Sequence, residues 1–164
     1  MDITVSDDIE ADFLQLVQCI LDDSEFRKLV LYKQHFRTTR FMHSLNVSYL
    51  SWLVARKFGW DAEVAARAGL LHDFCLYDFK EKLPDGEFQA FHHPKVAVRT
   101  SEERFELYEK ERQAILSHMF PLGPLPRSRE AWIISCIDKV CAVTEACQLN
   151  IALARRNRVV ITSA

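Results

Sequence analysis

The chain has 164 residues, of which 49% are hydrophobic and 27% charged, with a formal net charge of -2 and an isoelectric point near 6.3. This length and balance suit one compact globular domain. The net charge is not the strongly positive one expected of a nucleic-acid-binding domain. No run of apolar residues approaches the ~18 residues of a membrane span. The N-terminus lacks the pattern of a secretory signal, and the five cysteines form no Cys-x-x-Cys pair. We therefore expect a cytoplasmic protein without disulfides, structural zinc, nucleic-acid partner or membrane contact.

Apolar residues recur mainly at helical spacing, and the few glycines and prolines cluster in two turns. The prediction is an all-α fold, a single compact bundle of about six or more helices. A further helix is expected to open at His93-Pro94, with the proline near its first turn. The six predicted segments are 7–21, 24–32 capped by Ser24, 39–58, 61–75 capped by Asp61, 101–118 capped by Ser101, and 128–148 capped by Ser128.

The third segment, residues 39–58, is apolar nearly all round, which places it at the centre of the fold. No repeat or shift in composition marks a second domain, so residues 1–158 are expected to form one domain. Residues 159–164 are β-prone but isolated in the pattern, and we expect them to be a C-terminal tail.

Three polar side chains stand where predicted helices turn toward the core: His43, His72 and Asp138. A single buried histidine is commonly structural, but a buried carboxylate such as Asp73 or Asp138 needs a cation or a strong partner. Imidazole nitrogens and carboxylate oxygens together suit a divalent transition metal. The adjacent pair His72-Asp73 can send one ligand to a metal and let the carboxylate bridge toward a second.

The other histidines differ in their surroundings. His93 and His118 stand at predicted helix ends beside loops, where sites are usually built. His35 lies in a basic stretch before the third segment, and we interpret it as a surface or substrate-facing residue.

The order of these residues resembles the HD-domain metal-dependent phosphohydrolases, over about residues 39–145. A closer similarity, in residues 70–79, His93-Pro94 and residues 118–132, is to a branch of small bacterial HD proteins of unassigned substrate. Three strings carry the wider resemblance: Arg40-Phe-Met-His43, Gly69-Leu-Leu-His72-Asp73 and Cys136-Ile-Asp138-Lys139.

The resemblance implies one or two divalent ions of iron, manganese, nickel, cobalt or zinc. Asp73 would bridge the two metals. His93 is preferred to its neighbour His92 because it precedes Pro94. The implied ligands are His43, His72, Asp73 and Asp138 for the first metal, and His93 and His118 with Asp73 for the second.

The implied activity is release of phosphate from a small phosphate ester or nucleotide by a metal-activated hydroxide. The expected partners are that substrate and a second copy of the chain in a homodimer. Cations should line the pocket, and the candidates are Arg40, Lys95 and Lys139. The expected catalytic residues are Asp73, Asp78 and Lys139.

The sequence also departs from the family. Many HD phosphatases carry a carboxylate three residues after the aspartate, but Leu76 stands there and Asp78 is the next acid. The alternative interpretation is therefore a catalytically weak metal-binding module with a ligand-sensing or regulatory role. Met119-Phe120-Pro121 replaces the glycine-tyrosine-proline motif of cyclic-dinucleotide enzymes, which disfavours that substrate class.

Overall fold

The computed structural model describes residues 2–5, 10–35, 37–83, 86–149, 151–155 and 159–162. It confirms the all-α prediction, because helices build the core. Among the described residues, none of the helices has the length and apolar character to cross a membrane. The helices are α1 (Ala11–Leu21), α2 (Ser24–Arg27) with a 3-10 turn (Lys28–Leu31), α3 (Arg40–Phe58), α4 (Ala62–Leu71), α5 (Gln89–Glu102), α6 (Glu109–Ser117), α7 (Arg129–Ala146) and α8 (Ala152–Arg155).

Two short strands lie at the chain ends. β1 (Asp2–Val5) pairs antiparallel with β2 (Val159–Thr162), so that Asp2 stands opposite Thr162. The expectation of an isolated tail at residues 159–164 is thereby corrected for the described part of that segment. The β-prone composition was visible in the sequence, but the partner strand lies more than 150 residues away.

Several helix starts are capped by side chains, and two of these caps, Asp61 and Ser128, are predicted ones. The side chains of Thr39, Asp61 and Ser128 accept hydrogen bonds from the backbone N–H groups three residues later, satisfying donors that a helix start leaves unpaired. The cap predicted at Ser24 is wrong by one residue, because Asp23 accepts those bonds instead. The predicted start of the first helix, residues 7–9, lies outside the described residues.

The largest correction concerns residues 89–118. Ser101 is not a cap, because it is buried inside α5, and α6 begins only at Glu109, where Tyr108 and Glu111 form the capping contacts. The helix expected at His93-Pro94 exists, but it starts earlier, at Gln89. α4 ends at Leu71, four residues before the predicted end. His72 therefore caps α4, and the residues after it leave the helix.

α3 is the central helix, as its all-round apolar pattern predicts, and it packs against α4, α7 and α8. Its approach to α4 is closest at Gly69. A Cβ atom built on Gly69 would lie 2.9 Å from the Ser48 Cα atom and 3.3 Å from the Ser48 nitrogen. Glycine is therefore required there by contact with backbone, which cannot rotate away. This contact sets the distance between the two helices that carry His43 and His72.

We expect Gly69→Ala to lower the free energy of unfolding by about 1–3 kcal/mol, because the added methyl group forces α3 and α4 apart. Urea denaturation of the purified proteins measures this loss. Gly123→Ala is the matched control, since its Cβ would meet nothing closer than 3.5 Å. An equal loss in both variants would show that the α3–α4 contact is not the cause.

Candidate metal centre

The six predicted ligands lie together in one buried cluster, to which five helices contribute residues. At most 8% of the surface of any of them is exposed. The structure also separates the two neighbouring histidines: His93 joins the cluster, whereas His92 faces the Glu87 carboxylate at 3.0 Å. The members of the cluster are His43 on α3, His72 and Asp73 at and after the end of α4, His93 on α5, His118 at the end of α6, and Asp138 on α7.

One half of the cluster surrounds the Oδ2 side of Asp73. The His72 Nε2 atom lies 3.5 Å from Asp73 Oδ2 and 3.6 Å from Asp138 Oδ1. The His43 Nε2 atom lies 3.0 Å from the same oxygen of Asp138. Two imidazoles and two carboxylates thus converge, and three of them, His43, His72 and Asp73, have ligand atoms within 4.8 Å of one another.

The other half surrounds the second oxygen of Asp73. Asp73 Oδ1 lies 3.3 Å from His93 Nε2 and 3.6 Å from His118 Nε2. The two Nε2 atoms are 2.9 Å apart. Asp73 therefore faces both halves of the cluster, one oxygen to each.

The orientation of three imidazoles is set by backbone carbonyls of their own helices. The Nδ1 atoms of His72, His93 and His118 lie 2.7–2.8 Å from the carbonyls of residues 69, 89 and 115. A carbonyl oxygen only accepts, so each Nδ1 carries the proton, and in the neutral ring each Nε2 presents a lone pair to the cluster. Such a bond on the far nitrogen is the usual support of a metal-binding histidine.

Two lone pairs facing each other at 2.9 Å, as in His93 and His118, repel unless a cation lies between them. Two nitrogens bound to one ion at about 2.1 Å, with an angle near 90°, stand about 3 Å apart. In addition, His72 Nε2 and Asp73 Oδ1 are buried and have no hydrogen-bond partner among the described residues. Unpartnered buried polar atoms are unfavourable. Their nitrogen and oxygen donors therefore fit divalent transition-metal ions.

The electrostatics of the cluster keep two of the candidate ligands, His118 and Asp73, in their metal-binding forms. Burial and the neighbouring imidazoles of His93 and His72 lower the pKa of His118 to about 3. Burial opposes ionisation of Asp73, but the facing histidines outweigh it and hold the pKa of that carboxyl well below its ordinary value. A neutral imidazole and an ionised carboxylate are the forms that bind metal.

His43 is held differently from the other imidazoles, by a residue that the sequence analysis missed. Its Nδ1 atom lies 2.8 Å from the Glu145 carboxylate on α7, while its Nε2 faces Asp138. Burial lowers the pKa of His43, but these two carboxylates outweigh it and raise that pKa to about 10. A signal for Glu145 existed, since it lies seven residues, or two turns, after Asp138 on the same helix face.

Arg40 supports the cluster by hydrogen bonds to Gln34 and to the segment that follows Asp73. It is fully buried, and its guanidinium donates to the carbonyls of Cys75 and Tyr77 and to the Gln34 side chain. The amide of Gln34 donates in turn to Asp73 Oδ2. Arg40 was predicted to bind substrate, but its burial makes it a positioning residue. The sequence held no signal for Gln34, which acts through this tertiary contact.

A cavity of about 380 Å³ opens onto the cluster. It is the space in which a substrate can reach Asp73 and the ions that the ligands would hold. Its described lining comprises Gln34, His35, Asp73, Phe79, Phe88, Gln89, Ala90, His93, His118, Met119, Leu122, Asp138, Lys139 and Ala142.

The remaining predicted site residues are distributed unevenly around this cavity. Lys139 and His35 line it. Lys95 is exposed, does not line the cavity and pairs with the Glu87 carboxylate. Asp78 is exposed, and its side chain accepts a hydrogen bond from the Lys80 backbone. The structure therefore brings neither Lys95 nor Asp78 to the cluster.

We expect Arg40→Lys to lower the free energy of unfolding by about 3 kcal/mol, because one ammonium group cannot satisfy the carbonyls that the guanidinium fork reaches. Chemical denaturation measures the loss. Arg37→Lys is the control for the same exchange at an exposed position and is expected to change stability by less than about 0.5 kcal/mol. Equal stability of Arg40→Lys and the wild type would contradict the supporting role.

Comparison with known proteins agrees with this geometry. The HD domain profile matches residues 40–143, the stretch from the first residue of α3 to near the end of α7. Ribonuclease Y of Clostridium perfringens, in strains SM101, ATCC 13124 and 13, is 35% identical over 72 residues. That match covers 41% of this chain and 14% of each relative, so the chain spans a small part of their length. Since the profile spans more than half of the chain, the protein belongs to the HD-domain family, whose members are generally metal-dependent hydrolases.

Proposed function

We propose that this protein is a metal-dependent phosphohydrolase that releases phosphate from a small phosphate ester, a nucleotide being one candidate. The observation that carries the proposal is the pair of donor sets on either side of Asp73. His43, His72 and Asp138 stand on one side, and His93 and His118 on the other. Two sets that share one carboxylate suit two divalent ions.

Two such ions would supply activation of water near neutral pH and neutralisation of the phosphate charge. The chain's own contribution is to fix the positions of the ligands and of the ester. Asp73 couples the two halves, the helix carbonyls orient three imidazoles, and the cavity positions the ester. In hydrolysis the water oxygen forms a bond to phosphorus, the ester oxygen leaves, and that oxygen takes a proton.

A catalytically weak binding module is the second candidate, and one observation favours it. Among the described residues that line the cavity, the carboxylates are Asp73 and Asp138, and both belong to the ligand set. Leu76, three residues after Asp73, packs against the core. No described carboxylate is therefore free at the cavity wall to transfer protons, and slow turnover would follow.

Cleavage of RNA, which the name of the Clostridium relatives indicates for them, receives less support here. The chain carries a net charge of -2, and Lys139 is the one lysine or arginine among the described lining residues. A nucleic-acid site needs cations to neutralise several phosphates.

Metal content tests the proposal directly. We expect protein purified without chelator and supplied with manganese(II) to bind about two ions and to release phosphate from at least one ester. His93→Ala should lose about one ion, whereas His92→Ala, the neighbour outside the cluster, should keep both. His72→Ala should abolish phosphate release. Elemental analysis and a phosphate assay measure these outcomes, and normal folding with no bound metal would refute the proposed site.

A second expectation concerns Glu145. Glu145→Gln should weaken binding of the ion held by His43, His72 and Asp138 by about 10–100-fold, because the His43 ring loses the charged acceptor that orients it. Isothermal titration calorimetry with manganese(II) measures the change. Glu109→Gln is the control, since Glu109 is exposed on α6. Unchanged affinity in Glu145→Gln would show that His43 does not depend on this carboxylate.

A further inference from the structure

The mouth of the cavity is apolar where it meets solvent. Phe88 is 62% exposed and Leu122 is 50% exposed, and both line the cavity. Phe79 and Met119 continue this wall inward, toward His93 and His118. Large apolar side chains left open beside convergent polar groups are typical of a binding surface for an apolar ligand.

The wall of the cavity offers little positive charge for a substrate. Lys139 lines it, but the Nζ group already donates to the His118 carbonyl at 2.9 Å and to the carbonyl and hydroxyl of Ser135 at 3.0 Å. An ammonium group has three protons, so these bonds use all of its donors. Arg40 is fully buried, with Phe79 between it and the cavity: its guanidinium carbon lies 3.7 Å from the centre of that ring.

The apolar mouth of the cavity and the lack of available positive charge in its wall favour some phosphate esters over others. One phosphate can be neutralised by ions held at the cluster, but each further phosphate would need cations that the described lining does not supply. Among the described lining residues, the remainder of the substrate meets two phenylalanines, a methionine, a leucine and two alanines, with polar groups from Gln34, His35 and Gln89.

We infer that the substrate is a phosphomonoester with a single phosphate and a flat, uncharged, largely apolar organic group that packs against Phe88, Leu122 and Met119. This inference rests on the proposed function. The cavity of about 380 Å³ has room for an organic group of one or two rings. Water adds to phosphorus, the ester P–O bond breaks, and the products are the alcohol and inorganic phosphate.

The test depends on benzyl phosphate and glycerol 3-phosphate, two esters whose leaving alcohols are similarly basic, so that the rate difference between them reports binding. A nucleoside triphosphate, which is an anhydride, and a short RNA, which is a diester, represent the competing substrate classes. The manganese-loaded protein is given benzyl phosphate, glycerol 3-phosphate, a nucleoside triphosphate and a short RNA. We expect kcat/KM to be about tenfold or more higher for benzyl phosphate than for glycerol 3-phosphate, because the ring buries apolar surface. The triphosphate and the RNA should be the slowest.

Phe88→Ala should lower kcat/KM for benzyl phosphate more than for glycerol 3-phosphate and so remove most of the advantage of the benzyl ester. Phe58→Ala is the matched control, because Phe58 is 59% exposed and does not line the cavity. Calorimetry with benzylphosphonate and methylphosphonate gives a readout that does not depend on turnover. The wild type should prefer the benzyl compound, and Phe88→Ala should lose that preference.

The failures of the two proposals are distinguishable. Equal kcat/KM for benzyl and glycerol phosphates, or fastest cleavage of the triphosphate or the RNA, would overturn the substrate inference and leave the hydrolase proposal standing. Equal loss in Phe88→Ala and Phe58→Ala would also overturn it. No phosphate release from any ester by fully metal-loaded protein would overturn both.

Discussion

The burial of the Asp73 carboxylate is the constraint on which the rest of the site depends. An ionised carboxylate that is 2% exposed is unfavourable unless charge or hydrogen bonds compensate it. Here one oxygen faces His72 and the Gln34 amide, and the other faces two imidazoles. Three features hold this carboxylate between two sets of nitrogen atoms. α4 ends at Leu71, α3 and α4 are in close contact at Gly69, and Arg40 donates a hydrogen bond to the side chain of Gln34.

Much of this arrangement was predictable from sequence, because it follows from local patterns. The all-round apolar character of residues 39–58 indicated the central helix, and the caps at Asp61 and Ser128 follow from the backbone donors of a helix start. Three candidate ligand positions are conspicuous as polar residues in an apolar register: His43, His72 and Asp138. His93 and His118, in contrast, were assigned as ligands through the resemblance to the HD family. The structure places all six predicted ligands in one cluster.

The errors arose where long side chains or distant contacts decide the outcome. Arg40 and Lys95 were assigned by their distance along the chain from ligands, yet one side chain turns inward and the other turns to Glu87. Ser101 has the chemistry of a cap, but packing extends α5 past it. Glu145 and Gln34 contribute through tertiary contacts, to His43 on another helix and to Asp73 after α4. Helical register places Glu145 on the same face as Asp138 but does not identify the residue that it contacts, and it gives no signal for Gln34.

The support of the histidines has a consequence for the order in which the site forms. His72, His93 and His118 each donate to a carbonyl three or four residues earlier, so a single helical turn decides which way each ring points. His43 instead relies on Glu145, 102 residues away. The half that contains His93 and His118 is thus oriented as soon as α5 and α6 exist. The half that contains His43 takes its orientation only when α7 packs against α3, so the two halves of the cluster differ in their dependence on tertiary contacts.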